Sequence, residues 1–298
     1  MQLSLFSVSY AGLWGQAALN VEEVIAKAAQ LGYGAVMLAG KRPHLSPLDA
    51  SEDKLSSVKA DLREHGVECA ALAGYVDFAG GGAAEVPYLE MQIAYAEQLA
   101  VAAAQLDAKF VRLFTSYETP GQSPFALWSQ TVEVLQEICD RAAVQGVTIA
   151  VQNHHDIALH SDALLELLDD VDRPNCKLGF DAWSPALRGE PLYETARRVA
   201  SKTVITTNAD YVRWPRYQYR PAIVNYDRVQ PDLVRAVKFG SGFIDYEAFF
   251  QGLKDGGFNG VTNYEMCSPI RGGGSLENLD AYAAEYVAWM RDHGMADG

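Results

Sequence analysis

The sequence predicts a (β/α)8 barrel, in which eight parallel strands close into a ring and a helix follows each strand. Eight short apolar runs alternate strictly with eight amphipathic helical patterns along the chain. Most of these runs are apolar and contain β-branched residues, as expected of strands that are buried on both faces. The length of 298 residues fits eight such units, and no linker or change in composition divides the chain. We therefore expect one barrel domain spanning residues 1–298.

Eight segments carry the pattern of strands. They cover residues 3–8, 34–39, 68–74, 109–114, 147–153, 176–181, 203–208 and 260–265. The first intervening helix has Asn20 as its N-cap and ends at Gly32 or Gly34, and the second starts near Ser51 and ends before Gly66. The other helices are predicted within residues 88–106, 125–147, 161–171, 193–200, 245–258 and 275–294. A parallel sheet requires crossover helices of this kind.

Residues 209–244 interrupt the alternation and predict a long loop region after the seventh strand. The segment is rich in tyrosine, tryptophan and arginine, and it includes Arg213. One interpretation is a surface excursion packed by its own aromatic side chains. The other is a lid, a substrate-binding loop or a subunit contact, because long ordered loops in compact domains often carry function.

Composition narrows the range of functions. The chain has 24 basic and 38 acidic residues, a net charge of −14, and no lysine- or arginine-rich run, so nucleic-acid binding is not expected. The four cysteines are scattered without CxxC spacing, which favours a reducing cytoplasm. The N-terminus lacks the pattern of a signal peptide, and no apolar run reaches the roughly 18 residues needed to span a membrane.

Polar side chains stand where four consecutive predicted strands end. Gln152 closes the fifth strand, Asp181 the sixth, Thr207 or Asn208 the seventh, and Glu265 the eighth. Active sites of (β/α)8 barrels lie at the carboxyl ends of the strands. Oxygen donors suit a hard or borderline divalent cation. We therefore expect these side chains to line one site.

Several motifs in this order resemble the xylose-isomerase-like TIM barrels, a superfamily of sugar and sugar-phosphate isomerases and epimerases that also includes endonucleases of DNA repair. The motifs are "AQLGYGAVML", "VTIAVQNHHD", "NCKLGFDAW" and "GSGFIDYEAFFQGLKDGGFNGVTNYE". The resemblance covers nearly the whole chain. It implies one divalent metal ion (Mn, Mg, Co or Zn), held by Glu, Asp, His and Glu from strands five to eight.

The metal-ligand positions of this chain are atypical for that family. Asp181 and Glu265 match, whereas Gln152 stands where the first glutamate is expected. The histidine position falls on Asn208 or Thr207; we choose Asn208 as the better ligand and keep Thr207 open. In the epimerases of the family, two glutamates exchange protons on opposite faces of the substrate. Gln152 cannot act in this way.

Further candidates flank these positions. His154 shares the strand face of Gln152 and would point into the site, either as a proton carrier or as a hydrogen-bonded rim residue. The other candidates are taken as substrate-binding or proton-carrying residues, each with a structural alternative. They are Lys41, His44, His155, Trp183 and Arg213. The Gly-rich stretch at residues 79–85 lacks the lysine and hydroxyl residue of a phosphate-binding loop.

The expected function is a metal-assisted isomerase or epimerase that acts on a sugar or keto-polyol through an enediolate. Glu265 would be the base, and His154 or Lys41 the second proton carrier. A keto-polyol dehydratase shares the first step, and a non-catalytic sugar-binding barrel is the other alternative. A DNA-repair endonuclease of this family would need a histidine cluster for several zinc ions and a basic groove. The chain has only six histidines and a net charge of −14, so this function is not expected. The expected partner is a small carbohydrate, with no membrane contact and with self-association left open.

Overall fold

Eight parallel strands form a closed barrel in the computed structural model, which describes residues 1–80 and 85–296. The Gly-rich stretch at 79–85 therefore lies mostly outside the described residues. The strands are β1 (Gln2–Phe6), β2 (Ala35–Ala39), β3 (Glu68–Ala73), β4 (Phe110–Leu113), β5 (Thr148–Gln152), β6 (Cys176–Gly179), β7 (Thr203–Asn208), β8 (Asp210–Arg220), β9 (Asn225–Val237) and β10 (Val261–Tyr264). The barrel order is β1-β10-β7-β6-β5-β4-β3-β2, so the predicted (β/α)8 barrel is confirmed.

Helices follow the barrel strands. They are α1 (Val21–Leu31), α2 (Glu52–His65), α3 (Tyr88–Gln105), α4 (Pro124–Val144), α5 (Ser161–Val171), α6 (Trp183–Arg188), α7 (Leu192–Val199), α8 (Tyr246–Asp255) and α9 (Leu276–Asp292). Asn20 starts α1 with a capping box to Glu23, and Gly32 ends it in the left-handed conformation, which favours glycine. The short helix α6 was not predicted. None of the described helices combines the length and apolar character needed to cross a membrane.

Apolar side chains pack against the strands on both the outside and the inside of the barrel. A large outer core packs the strands against the helices, and a small inner cluster fills the barrel itself. The buried members of the inner cluster are Phe6, Val8, Met37, Ala39, Ala71, Ala73, Ala150 and Ile205. Four of them are alanines, so their small side chains leave room inside the barrel for larger polar groups on neighbouring strands.

The segment after β7 is a long antiparallel hairpin made by β8 and β9, so the prediction of a loop was wrong. Ten paired positions, from Asp210 with Val237 to Arg220 with Asn225, form its ladder, which has one register shift between Trp214 and Arg216. At its base, the Asp210 carboxylate accepts hydrogen bonds from the amides of Tyr211 and Gly242. A β-carbon at Gly242 would lie 2.0 Å from the Asp210 carboxylate, so this close approach requires glycine.

Candidate functional site

Strand register places four oxygen-bearing side chains on the inside of the barrel. Gln152 pairs with Gly179, and Gly179 pairs with Ile205 of the inner cluster. Because side chains alternate along a strand, Thr207 shares the inward face of Ile205. Thr207 in turn pairs with Asn263, two residues before Glu265. Asp181 lies two residues after Gly179, and the four side chains meet at the carboxyl ends of β5, β6, β7 and β10.

Gln152, Asp181 and Thr207 are almost fully buried. Gln152 Nε2 donates a hydrogen bond of 2.7 Å to Asp181 Oδ2, which fixes the orientation of both side chains. Gln152 Oε1 and Thr207 Oγ1 are buried and have no hydrogen-bond partner. An unpaired buried oxygen is costly, so these two atoms indicate a site shaped for a ligand.

The structure corrects the choice of Asn208 as the fourth oxygen donor. Asn208 has the opposite strand parity to Thr207, and its side chain points into the outer layer against α9. Its Oδ1 accepts a hydrogen bond from Thr206 Oγ1. Its Nδ2 lies 3.0 Å from Thr262 Oγ1 and 3.1 Å from the Tyr286 hydroxyl. Asn208 also borders the cavity, but its side-chain amide is already hydrogen-bonded, so we take Thr207 as the strand-seven oxygen donor.

The two carboxyl groups have raised pKa values. Burial raises the pKa of Asp181 to about 7, against the lowering effect of its hydrogen bond from Gln152, and the charge of Glu265 adds to the rise. Burial also raises the pKa of Glu265, while the Cys267 thiol, which donates to Glu265 Oε1, and the charges of Arg112 and Lys41 oppose the rise. Asp181 therefore sits near its midpoint at neutral pH and can lose a proton when a cation approaches.

The site opens into a cavity with two connected parts. The smaller part, about 180 Å³, contains Asp181, Thr207 and Trp183, and the larger part, about 460 Å³, contains Lys41 and Arg112. Four residues line both parts. They are Gln152, His154, Glu265 and Cys267. A ligand held between Asp181 and Glu265 would extend from there into the larger part.

His154 and His155 both line the cavity. The alternation of side chains along the strand predicted this position for His154. His154 Nδ1 accepts a hydrogen bond of 2.8 Å from the amide of His155, so its Nε2 carries the proton of the neutral ring. Burial lowers the pKa of each ring to about 4. His155 stacks on Tyr117, with ring centroids 3.8 Å apart. Both rings are neutral at physiological pH.

Lys41 and Trp183 also face the cavity. The Lys41 ammonium stands 3.6 Å from the centroid of the Tyr75 ring, and its pKa is lowered by burial and by the charge of Arg112. Trp183 starts α6, and its indole Nε1 is buried without a hydrogen-bond partner. Its ring packs between His154 and Tyr211. Each of these side chains has a polar group available to a ligand.

Two other candidates lie elsewhere, which corrects their placement in the substrate site. His44 is buried, and its ring nitrogens contact Ser7 Oγ at 3.1 Å and the Leu19 carbonyl at 3.2 Å. Arg213 is exposed on the hairpin; its guanidinium donates to the Ala186 carbonyl at 2.7 Å and covers the ring of Phe243. Both side chains already have partners within the fold, and neither lines the cavity.

Sequence reasoning missed Arg112, which projects from β4 into the barrel and is 1% exposed. Its guanidinium packs 4.1 Å from the centroid of the Phe114 ring and donates to the Gly74 carbonyl at 3.2 Å. The signal was available, because Arg112 is the one charged residue inside the apolar stretch "FVRLF". A buried charge of this kind is a frequent mark of a functional site.

The donor set fits a divalent cation that prefers oxygen. Two carboxylates would supply two negative charges, and the unpaired Gln152 and Thr207 oxygens would complete the set. Within residues 1–80 and 85–296, no group of three or more His, Cys, Asp or Glu side chains is arranged to hold a metal. The fit therefore depends on the amide and hydroxyl oxygens as well as on Asp181 and Glu265.

Known proteins resemble this chain in sequence over part of its length and in three-dimensional structure over nearly all of it. Inosose isomerase of Bacillus licheniformis is 30% identical over 144 residues, and the chain spans about half the length of this curated relative, 48%. D-allulose 3-epimerase from Methylomonas sp. has a TM-score of 0.74 at 16% identity, covering 98% of both chains. The probable 3-DHS dehydratase AsbF of Bacillus anthracis has a TM-score of 0.72 at 16% identity, covering 97% of this chain and 99% of that chain.

The two structural likenesses show a shared fold. The family described as xylose isomerase-like TIM barrel matches residues 25–293, which is most of the chain. The match includes the four candidate ligands: Gln152, Asp181, Thr207 and Glu265. The chain therefore belongs to the xylose isomerase-like TIM barrel family.

Proposed function

We propose that this protein is a metal-assisted isomerase of small polyhydroxylated carbonyl compounds, such as keto-polyols and sugars. One observation carries the proposal: Asp181 and Glu265 share a cavity with two buried, unpaired neutral oxygens at the ends of four consecutive strands. The partial match to an inosose isomerase agrees with this class of substrate. Location in the cytoplasm stays an expectation.

Asp181, Glu265, Gln152 and Thr207 would hold one divalent cation of the Mg, Mn, Co or Zn type. When bound, such a cation polarises a substrate carbonyl and stabilises negative charge on its oxygen. Gln152 keeps an oxygen donor in the set, and its amide positions Asp181.

Glu265 is the base of the proposed reaction. The Cys267 thiol donates to its Oε1 and orients the carboxylate at the cavity. It takes the proton from the carbon next to the carbonyl, which gives an enediolate, and, after its carboxyl proton exchanges with water, it delivers a proton to the former carbonyl carbon. A single carboxylate on one face suffices for this 1,2-shift.

Gln152 explains why we favour isomerisation over epimerisation. Inversion at one carbon requires proton removal from one face and delivery from the other, and an amide can do neither. The two-glutamate mechanism of the family's epimerases would require a carboxylate at residue 152. The chain therefore has one carbon base, consistent with moving a carbonyl group along the carbon chain.

His154 is the candidate for the proton on the substrate oxygens. Its Nδ1 is occupied by the amide of His155, so the neutral ring presents Nε2–H as a donor. A neutral imidazole can polarise a carbonyl and transfer the oxygen proton without becoming an imidazolium. Lys41 is the alternative carrier, because its lowered pKa makes proton release easier.

The test is proton exchange. Protein treated with a chelator and reloaded with Mn²⁺ is incubated in D2O with a panel of inososes and ketohexoses, and NMR follows deuterium incorporation and carbonyl position. We expect exchange and a shifted carbonyl, both abolished in Glu265→Gln but retained in the surface control Glu64→Gln. Asp181→Asn should reduce Mn²⁺ binding measured by calorimetry, a readout that does not depend on activity.

The same experiment separates the alternatives. Loss of water with formation of an unsaturated carbonyl, which absorbs in the ultraviolet, would identify a keto-polyol dehydratase. Binding of a polyol without deuterium exchange would identify a non-catalytic barrel. Exchange that persists in Glu265→Gln would remove Glu265 from the proposed role.

A further inference from the structure

We propose that the substrate carries a carboxylate and that Arg112 and Lys41 hold this group in the larger part of the cavity. The two side chains and Tyr75 between them are called the anion subsite. The inference rests on the proposed function for the rest of the substrate. It specifies a negatively charged substrate, which distinguishes the ligand from a neutral sugar.

Arg112 is the first support for the subsite. A buried guanidinium that only stabilises the fold is expected to pair with a carboxylate, because an unpaired buried charge is costly. Among the described residues, no carboxylate lies within 4.0 Å of Arg112, and its Nε has no hydrogen-bond partner. Its Nη1 donates to the Gly74 carbonyl. The group therefore retains donors that face the cavity.

Lys41 and Tyr75 provide the second support. In the described part of the chain, the Lys41 ammonium forms no hydrogen bond or ion pair and contacts the ring of Tyr75. The guanidinium of Arg112 lies 5.3 Å from the centroid of the same ring. The buried Tyr75 hydroxyl has no hydrogen bond of normal length, although the Arg112 guanidinium is close enough to oppose the rise in the Tyr75 pKa that burial causes. The Lys41 ammonium and the Arg112 guanidinium therefore both lie against the ring of Tyr75, and among the described residues neither cation is paired with a carboxylate.

The negative groups nearby do not fill this role. Asp77 lines the same part of the cavity, but its Oδ1 already accepts hydrogen bonds from the amides of Ala79 and Tyr117. Glu265 accepts from Cys267 and forms no ion pair with Arg112 or Lys41, although the charges of both lower its pKa from a distance. The two positive charges therefore remain available to a bound ligand.

A carboxylate suits the subsite better than the other common anion. The planar guanidinium matches the two oxygens of a carboxylate, and the ammonium can bind one of them. A phosphate has three terminal oxygens and needs more donors than these. Next to Arg112 and Lys41, this part of the cavity has apolar and aromatic walls at Phe6, Val8, Leu13 and Phe114, and polar side chains such as Gln92 and Tyr117 line the rest of it.

Binding of three matched sugars tests the subsite: D-glucose, D-glucuronate and D-glucose 6-phosphate, titrated calorimetrically into the Mn²⁺-loaded protein. We expect glucuronate to bind at least about tenfold more tightly than glucose, since charge-assisted hydrogen bonds are the strong ones. Arg112→Gln and Lys41→Met should each reduce this preference about tenfold. Arg63→Gln, at the exposed end of α2, should leave it unchanged.

Lys41→Met keeps the test decisive if Arg112→Gln does not fold, because Lys41 is only half-buried. Equal binding of glucose and glucuronate, a preference unchanged in Lys41→Met, or a preference for the phosphate would each overturn the carboxylate subsite. A glucuronate preference without isomerisation of any substrate would refute the proposed function and leave the subsite standing. Turnover of neutral sugars without that preference would do the reverse.

Discussion

Gln152 contacts Asp181 and also presents an oxygen to the candidate metal site. One end of its amide donates to Asp181, and the other end presents an unpaired oxygen to the cavity. The side chain thus orients one carboxylate and supplies a neutral donor at the same time. A glutamate there would add charge and a base, but it would also place two carboxylates within hydrogen-bond distance.

Gln152→Glu should bind divalent metal more tightly and be less stable without it. The added carboxylate attracts the cation, and in the metal-free protein it faces Asp181 across about the 2.7 Å now spanned by a hydrogen bond. We expect a gain of about tenfold or more in Mn²⁺ affinity by calorimetry and a lower melting temperature in chelator. Gln152→Met, which removes the hydrogen bond without adding charge, is the control. Unchanged affinity would show that residue 152 does not touch the metal.

His44 gives the molecule a pH-dependent stability. Burial lowers its pKa from 6.5 to about 4 in the folded protein. The unfolded chain therefore binds more protons between these values, so stability is full above pH 6.5 and declines as the pH falls toward 4. From pH 7 to pH 5 the loss from this residue is about 2 kcal/mol.

His44→Gln should remove this part of the pH dependence. Urea unfolding at pH 7 and pH 5 gives the free energy of unfolding at each pH, and we expect the difference to shrink by about 2 kcal/mol in the variant. The exposed His65→Gln serves as the control. An equal pH dependence in His44→Gln and the wild type would mean that His44 is not buried in the neutral form.

The β8–β9 hairpin is the element that departs most from the regular barrel. Its base is fixed by Asp210 and Gly242, and Arg213 ties it to α6, which carries Trp183. Arg213 is therefore a positioning residue for this side of the cavity. Farther out, large apolar side chains are exposed: Trp214, Tyr217, Tyr219, Ile223, Val224, Tyr226 and Leu233.

We expect the hairpin to bind a second copy of this chain. The hairpin segment has five arginines and three aspartates between residues 210 and 237, whereas the whole chain has a charge of −14. A basic, apolar projection on an acidic molecule is complementary to the body of another copy. Light scattering after size exclusion should give a dimer mass for the wild type and a monomer mass for the double variant Tyr217→Ser, Tyr226→Ser. Phe125→Ser, which removes an exposed apolar side chain on α4, should remain dimeric; a monomeric wild type would refute the contact.

At the scale of the whole molecule, the candidate ligands connect half of the barrel. The candidate ligands stand at the ends of four neighbouring strands of one closed sheet: Gln152, Asp181, Thr207 and Glu265. Unfolding the barrel would separate them, so a cation that binds all four binds the folded protein alone. Metal binding and global stability should therefore be linked.

Mn²⁺ should raise the midpoint of thermal unfolding. At a concentration 100 times the dissociation constant, binding to the folded state contributes about 2.7 kcal/mol. A calorimetric scan with Mn²⁺ and with chelator measures the effect, and Asp181→Asn should abolish most of it. Glu64→Gln should respond like the wild type. An identical midpoint with and without metal would show that the four oxygens do not bind Mn²⁺ together.

Some of this architecture is written in local sequence patterns. Alternating apolar runs and capped helices predict the barrel, because each element forms from residues that are close along the chain. The strand ends then locate Asp181 and Glu265, since active sites of this fold lie at that rim. Arg112 was also visible as an isolated charge in an apolar strand.

Tertiary structure decided the rest. The choice between Thr207 and Asn208 depends on the register of β7 with β6 and β10, where a shift of one residue turns every side chain to the other face. His44 and Arg213 carry suitable chemistry, but their distant partners, Leu19 and Ala186, remove them from the cavity. Sequence by itself determined which strand ends carry polar groups, because that is local; only the packed barrel determined which groups face one another, because those contacts join residues far apart in the chain.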